Sequence, residues 1–362
     1  VREDTVTLVT PATLPILLEP GRAIPALNEE PGASRRYIEA LYGLGIDFDA
    51  VAERLQEEGV DAVKKSFDNL MADIARKRQE PEKGRESVSF GLHDYQDGVR
   101  ASLSTVRKDA VMRRIWDHDH TVWKPDPVEI TNRMGWLHIS GKMMNNVAHI
   151  ERCVRSIQDD GYTHALLLGM GGSSLAPEVL RRTFGVKQGY LDLAILDSTN
   201  PAAVTVHAHR LDPARTLFIV STKSGTTPET LSFFRYFYNR TVDSLGRERA
   251  GDHFIAITDP GSYLVNIAEE CDFRTTFIND PTIGGRYSAL SYFGLVPAAL
   301  TGVDVRRLLE NAMIMSSNCE SCNCLLEGNN YGGRLGVVLG CLAEAGRDKV
   351  TFVLSHQIES FG

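Results

Sequence analysis

The chain has 362 residues, 43% of them apolar and 24% charged, with a formal net charge of −8 at neutral pH. That length holds two or three domains, each with its own core, and the apolar content is ordinary for a globular chain. The acidic balance sets nucleic acid aside as the main partner, but not a small anion, because a few aimed N–H groups outweigh a mildly negative overall field.

The charged start Val1-Arg2-Glu3-Asp4 has no apolar stretch behind it of the kind a secretory signal needs. No apolar run reaches the ~18–20 residues of a membrane span. The expectation is a cytoplasmic protein that meets no membrane, with reduced thiols. Both ends read as cut: the chain opens on Val1 and stops at Gly362 shortly after an apolar run.

Up to about residue 80 the pattern is helical. Ile38, Leu41, Leu44 and Ile46 lead into Asp47-Phe48-Asp49, and Val51, Leu55, Val60 and Val63 then recur near helical spacing. Gly59-Val60-Asp61 predicts a turn between two helices, with Asp61 as the N-cap of the second. The charged stretch Lys77-Arg78-Gln79-Glu80-Pro81-Glu82-Lys83-Gly84-Arg85 predicts a linker. Helical patterning resumes over 95–160, interrupted at Lys124-Pro125-Asp126-Pro127.

Beyond residue 160 the character changes. Runs rich in Val, Ile, Leu and Phe at 165–168, 191–196, 216–220, 253–258, 275–278 and 350–354 alternate with helix-length segments. This predicts an α/β fold, a parallel doubly wound sheet with right-handed crossovers, preceded by helical segments.

Two turns carry chemistry. In the first, Leu166-Leu167-Leu168 enters Gly169-Met170-Gly171-Gly172-Ser173-Ser174 just before a helix. Glycine permits close backbone approach, and a helix N-terminus offers N–H groups to an anion. The dinucleotide fingerprint G-x-G-x-x-G fails because Ser174 holds the third glycine's place. Taken alone, this turn is equally a tight corner.

The second turn follows the run 217–220: Ser221-Thr222-Lys223-Ser224-Gly225-Thr226-Thr227-Pro228-Glu229-Thr230. Six hydroxyls and one lysine in ten residues are not a core-building choice. Pro228 suits the first turn of a helix, and Thr226 with Glu229 has capping-box spacing. Hydroxyls and backbone donors thus crowd a helix N-terminus at the carboxyl end of a parallel strand, where open α/β sheets bind ligands. The P-loop motif is absent, which favours a sugar phosphate over a nucleotide.

Cys319, Cys322 and Cys324 cluster, but a closed zinc site takes four ligands and no second Cys or His pair follows, so neither a metal nor any other cofactor is expected.

In order along the chain, Gly169-Met170-Gly171-Gly172-Ser173, the Ser/Thr loop, and Gly284-Gly285-Arg286-Tyr287-Ser288 resemble three motifs of the glucose-6-phosphate isomerase family, of the sugar isomerase (SIS) superfamily. Asp117-His118-Asp119-His120-Thr121-Val122-Trp123 and Ile130-Thr131-Asn132-Arg133-Met134-Gly135-Trp136 resemble that family's N-terminal region. The resemblance covers roughly residues 90 to 362 and implies a flavodoxin-like SIS domain.

The start resembles something else. Asp4-Thr5-Val6-Thr7-Leu8-Val9-Thr10-Pro11-Ala12-Thr13-Leu14, Gly45-Ile46-Asp47-Phe48 and Lys65-Ser66-Phe67-Asp68 are similar to the C-terminal end of a transaldolase. Together the two likenesses imply a junction of fused transaldolase and glucose-6-phosphate isomerase. Residues 1–80 would be a helical remnant of a TIM-barrel transaldolase, 81–135 the linker and helical N-terminal region of the isomerase, 136–300 a first SIS domain, and 301–362 a connection and the start of a second.

The resemblance also implies roles. Gly172, Ser173, Thr222, Ser224 and Thr227 would hold the phosphate of glucose 6-phosphate or fructose 6-phosphate, with Lys223 adding charge or structure beside it. Arg286 would stabilise the cis-enediolate formed as a proton moves between C2 and C1. The family's base is a Glu in an E-S-x-G-K motif. Glu359-Ser360-Phe361-Gly362 imitates its start, yet lies too close to Leu354 for an intervening helix, so the base is expected beyond Gly362. The isolated segment is then expected to lack isomerase activity. Lys64 and Lys65 are expected on a solvated helix face, leaving no transaldolase centre either. The family's histidine that reaches across from a neighbouring subunit implies a homodimer. Two rival functions are a non-catalytic sugar-phosphate-binding regulatory module and a deaminating hexosamine-phosphate enzyme on the same fold.

Overall fold

The computed structural model describes residues 31–83, 89–320 and 330–361. The chain divides between Ser89 and Phe90 into two units. In the first, helix α1 (Pro31–Gly43) leads into helix α2 (Phe48–Lys83). The Asp47 carboxylate starts α2, accepting the N–H groups of Asp49 and Ala50 at 3.1 Å each.

The turn expected at Gly59-Val60-Asp61 is not formed, and Asp61 caps nothing, because α2 runs straight through it. One interior glycine costs a helix only about 1 kcal/mol, and flanking pairs such as Arg54–Glu58 at 2.8 Å sustain it. The same helix continues to Lys83, through most of the stretch expected to be a linker. Lys64 and Lys65 are exposed, as expected. The stretch 4–14, on which the transaldolase likeness partly rests, lies outside the described residues.

The second unit opens with short helices, α3 (Gln96–Lys108), α4 (Val111–Trp116) and α5 (Ile139–Met144). Helix α6 (Val147–Asp159) buries Val147, Ile150, Val154 and Ile157, a 3–4–3 spacing that lays one apolar stripe on the sheet.

The sheet is five-stranded and wholly parallel. Its strands are β1 (His164–Gly169), β2 (Asp192–Leu196), β3 (Thr216–Ser221), β4 (Phe254–Thr258) and β5 (Thr275–Ile278), in the order β2-β1-β3-β4-β5. This flavodoxin-like order fits the expected fold class.

Both faces are covered, which explains the unbroken apolar runs. Leu167, Ile219, Ile255 and Ile257 face a core shared with α6, α11 (Tyr292–Leu300) and α12 (Val305–Glu320). Leu166, Leu168, Phe218, Val220 and Phe254 face the other, shared with α8 (Pro201–Arg210), α9 (Pro228–Leu245) and α10 (Tyr263–Glu270). Alternate residues of one strand therefore serve two cores. Phe218 and Phe254 stack with centroids 4.9 Å apart, and Phe237 of α9 closes on Phe218 at 5.2 Å.

Helix α7 (Leu175–Phe184) follows β1, and α13 (Tyr331–Glu344) follows α12. Val338 of α13 packs with Leu92 and Val99 in a third, small cluster. The strand expected over 350–354 is not formed: the segment has no regular secondary structure and is mostly exposed, with Val353 at 94%. A β-run needs a ladder partner for its N–H and C=O groups, and no described strand lies beside it. No described helix is long and apolar enough to cross a membrane.

Candidate functional site

Strand order reverses between β1 and β3, so the turns that leave them splay to opposite faces and open a crevice at the carboxyl edge. Gly169 and Ser221 are the last register partners of that strand pair. Both motif turns therefore start from the same point.

The first turn is a single 3₁₀ turn, Gly171–Ser173, from which α7 departs. Gly172 is required by contact rather than conformation: a Cβ there would run into the carbonyl oxygen of Gly285. Ser288 Oγ bonds both backbones, donating to the Gly285 carbonyl at 2.6 Å and lying 3.3 Å from that of Gly172. The Gly-Gly-Arg motif, more than a hundred residues away in sequence, is thereby pinned on the first turn.

The second turn wraps the N-terminus of α9. Its N-cap is Thr227, not Thr226, and the expected capping box does not form. The Thr227 hydroxyl is instead 2.9 Å from that of Thr222, and Thr226 folds back onto Ser224 Oγ at 3.0 Å. Pro228 occupies the first helical position. Among the described residues, the backbone N–H groups of Ser224, Gly225 and Thr227 have no hydrogen-bond partner. Unpaired donors at a helix N-terminus are what an anion binds. Gly225 sits at φ +70, and a Cβ on it would lie 2.6 Å from the Leu264 nitrogen.

Lys223 is held differently from its neighbours. Its ammonium donates to the Asp259 carboxylate and, at 3.0 Å, to the Pro281 carbonyl. Burial pushes the Asp259 carboxyl above its ordinary value despite the Lys223 charge beside it. Asp280, nearby, behaves oppositely. Burial opposes its charge, but Lys142 at 2.7 Å and the hydroxyl and N–H of Thr282 outweigh that and hold it at about 2.

A cleft of about 810 Å³ lies beside this edge, lined by Lys223, Arg286, Arg133, Trp123, Trp136 and Tyr287, among others. Among the described residues Arg286 has no hydrogen-bond or ion-pair partner, and it is exposed. Tyr287 beside it stacks on Trp136 with centroids 5.4 Å apart. Met134 bridges to Ile283, and the Gly135 N–H donates to Thr282 O at 3.0 Å. The helical segment before the sheet thus forms one wall of the cleft. Glu129 also lines it, paired with Arg133 at 3.0 Å.

A slightly larger hollow, about 890 Å³, opens at the amino edge of the sheet. Its Arg152, Arg249 and Arg274 are matched by Asp160, Asp252 and Asp272, and helix C-termini face that edge. For an anion, the carboxyl edge is the better site.

The chemistry-bearing residues read from the sequence fall into two groups. Gly172, Ser173, Thr222, Ser224 and Thr227 gather on the two turns, while Lys223 and Arg286 line the adjoining cleft. Glu359 stands apart, exposed and 2.8 Å from His356, on a 3₁₀ segment whose Ser360 touches α7. Asp259 belongs to none of the motifs. Its signal is position: Thr258-Asp259-Pro260-Gly261 ends a parallel strand on the ligand-binding edge. Cys322 and Cys324 lie outside the described residues. The described cysteines are free, and no described group of three or more His, Cys, Asp or Glu could hold a metal.

The phosphoglucose isomerase family model matches residues 140–329, which contain both turns and the Gly-Gly-Arg motif. The chain belongs to the phosphoglucose isomerase family. Among relatives, the glucose-6-phosphate isomerase of Carboxydothermus hydrogenoformans is 32% identical over 205 residues, covering 52% of this chain and 42% of that one. The glucose-6-phosphate isomerase of Trichormus variabilis is 28% identical over 298 residues, 78% of this chain and 49% of that one. The chain thus spans less than half the length of these phosphoglucose isomerase relatives. The crystal structure of a hypothetical protein from Thermus thermophilus superposes with a TM-score of 0.57 at 26% identity, over 70% of this chain and 56% of that one.

Proposed function

We propose that the carboxyl edge binds a hexose phosphate, and that the protein to which this chain belongs interconverts glucose 6-phosphate and fructose 6-phosphate. The observation that carries this reading is the convergence, at the strand-order switch, of unpaired N–H groups at the start of α9 with a cleft lined by an unpaired Arg286. Family membership and the names of the relatives support it.

In this reading Gly172, Ser173, Thr222, Ser224 and Thr227 form the phosphate cradle, with Lys223 adding positive charge. The bound phosphate directs the sugar carbons toward Arg286. Its guanidinium keeps its charge at any working pH and stabilises the enediolate oxygens as the proton leaves C2. Proton transfer also needs a carboxylate base. Among the described residues the cleft offers Glu129, which is engaged by Arg133, and the family resemblance assigns the base to a motif later than Glu359.

The reading extends to residues 136–300 as a first SIS domain, flanked by a helical region at 81–135 and a connection at 301–362. It includes a cytosolic, homodimeric setting and a fusion to transaldolase through residues 1–80. The free thiols support the setting, and the motif likeness at Gly45-Ile46-Asp47-Phe48 supports the fusion.

Calorimetric titration of the chain with glucose 6-phosphate is the test. Binding on the order of 1 mM or tighter is expected, without turnover to fructose 6-phosphate. No binding would refute the cradle, and turnover would refute the assignment of the base elsewhere.

A further inference from the structure

Lys223 is the one cradle-loop side chain whose described partners lie on two other segments. Its ammonium reaches Asp259, at the end of β4, and Pro281 O, three residues before the Gly284-Gly285-Arg286 stretch. The link is doubled through the backbone, where the Asp259 N–H donates to Lys223 O at 3.3 Å and Thr258 Oγ1 approaches the same oxygen at 3.4 Å. The Asp259 side chain is only 14% exposed, and its second oxygen is buried without a partner among the described residues. A carboxylate so placed has a single strong interaction, and that is with Lys223.

Without Asp259, the ammonium would swing on its four-carbon stem toward solvent or toward a bound phosphate. With it, the ammonium is fixed between the Ser/Thr loop and the loop carrying Arg286. The distance between cradle and guanidinium then depends on this bridge, and a sugar phosphate that spans both depends on that distance.

We propose that Asp259 is a positioning residue that acts through Lys223 to hold the phosphate cradle and the Arg286 loop at a fixed spacing. This rests on the hexose-phosphate reading above. A ligand that fills only the cradle should not sense the spacing, whereas one that reaches Arg286 should.

The test is calorimetry on the full chain with two probes, inorganic phosphate and glucose 6-phosphate. Asp259→Asn should weaken glucose 6-phosphate by about tenfold, the scale of one charged hydrogen bond, and leave inorganic phosphate unchanged or bound more tightly. Asp259→Glu should restore glucose 6-phosphate binding at least partly. In a Lys223→Met background, Asp259→Asn should cost nothing further. Equal losses for both probes, no loss, or losses that add to those of Lys223→Met would overturn the proposal.

A second measurement does not depend on Asp259→Asn folding or on any ligand. Amide hydrogen exchange of residues 282–287 should speed up in Lys223→Met relative to the parent chain, and unchanged protection there would overturn the proposal. If the parent chain binds neither probe, the hexose-phosphate reading fails, while the exchange result still decides whether the bridge holds the loop.

Discussion

In the proposed cradle, one side chain, Thr227, would serve both stability and binding. Its hydroxyl meets that of Thr222, which is only 3% exposed, so removing it strands the Thr222 hydroxyl. Thr227→Val keeps the shape and deletes the oxygen. It should lower stability by about 1 kcal/mol and weaken glucose 6-phosphate binding, which a denaturant melt and a titration would show together. Arg286 is the opposite case, because among the described residues it partners nothing. Arg286→Gln should leave the denaturant midpoint unchanged within error and still weaken glucose 6-phosphate binding. A matching loss of stability would mean that Arg286 is structural.

Much of this is legible residue by residue. Hydroxyls at that density mark a candidate anion site, and a Gly-Gly pair announces the close backbone approach seen between Gly172 and Gly285. What is not legible is which residue Lys223 pairs with, since Asp259 lies 36 positions away and looks like any turn aspartate.

At the scale of elements, the two motif turns work only because they touch the segments beside them. Gly225 has a positive φ and lies against the backbone at the start of α10. Gly225→Ala should therefore cost about 1–3 kcal/mol and lower the thermal midpoint. Gly172→Ala should act differently, pushing the Gly285 carbonyl away and reducing ligand affinity more than stability. Two of the elements on which sequence and structure differ share one cause. Gly59-Val60-Asp61 and 350–354 give local signals for a turn and a strand, yet a helix tolerates one glycine and a β-run without a neighbour is not a strand. The strands that do form each have such a neighbour, as Leu167 does in Ile219.

Across the whole molecule, stability rests on a sheet with two covered faces, and its pH dependence follows from what those faces bury. His253, just before β4, is 4% exposed, with Nδ1 3.2 Å from Thr216 O and its ring against Tyr162. Burial holds its pKa below the ordinary histidine value, and burial lowers that of His207 on α8 as well. A depressed folded-state pKa means that the folded chain resists protonation that the unfolded chain accepts. The associated stability is fully present above about pH 6.5 and is lost as pH falls below it. The urea midpoint should therefore drop between pH 7 and pH 5, and His253→Gln should remove part of that slope, His207 keeping the rest. A flat profile in the parent chain would refute this account.

Which runs can form strands, and which turns are candidates for an anion, follows from the order of amino acids alone, because strand-forming runs and hydroxyl or glycine clusters are local properties. The strand order, the meeting of Gly172 with Gly285, and the capture of Lys223 by Asp259 and Pro281 emerge only when the chain folds. They depend on contacts between distant segments, which are fixed by burying two apolar faces at once and leave no periodic trace along the chain.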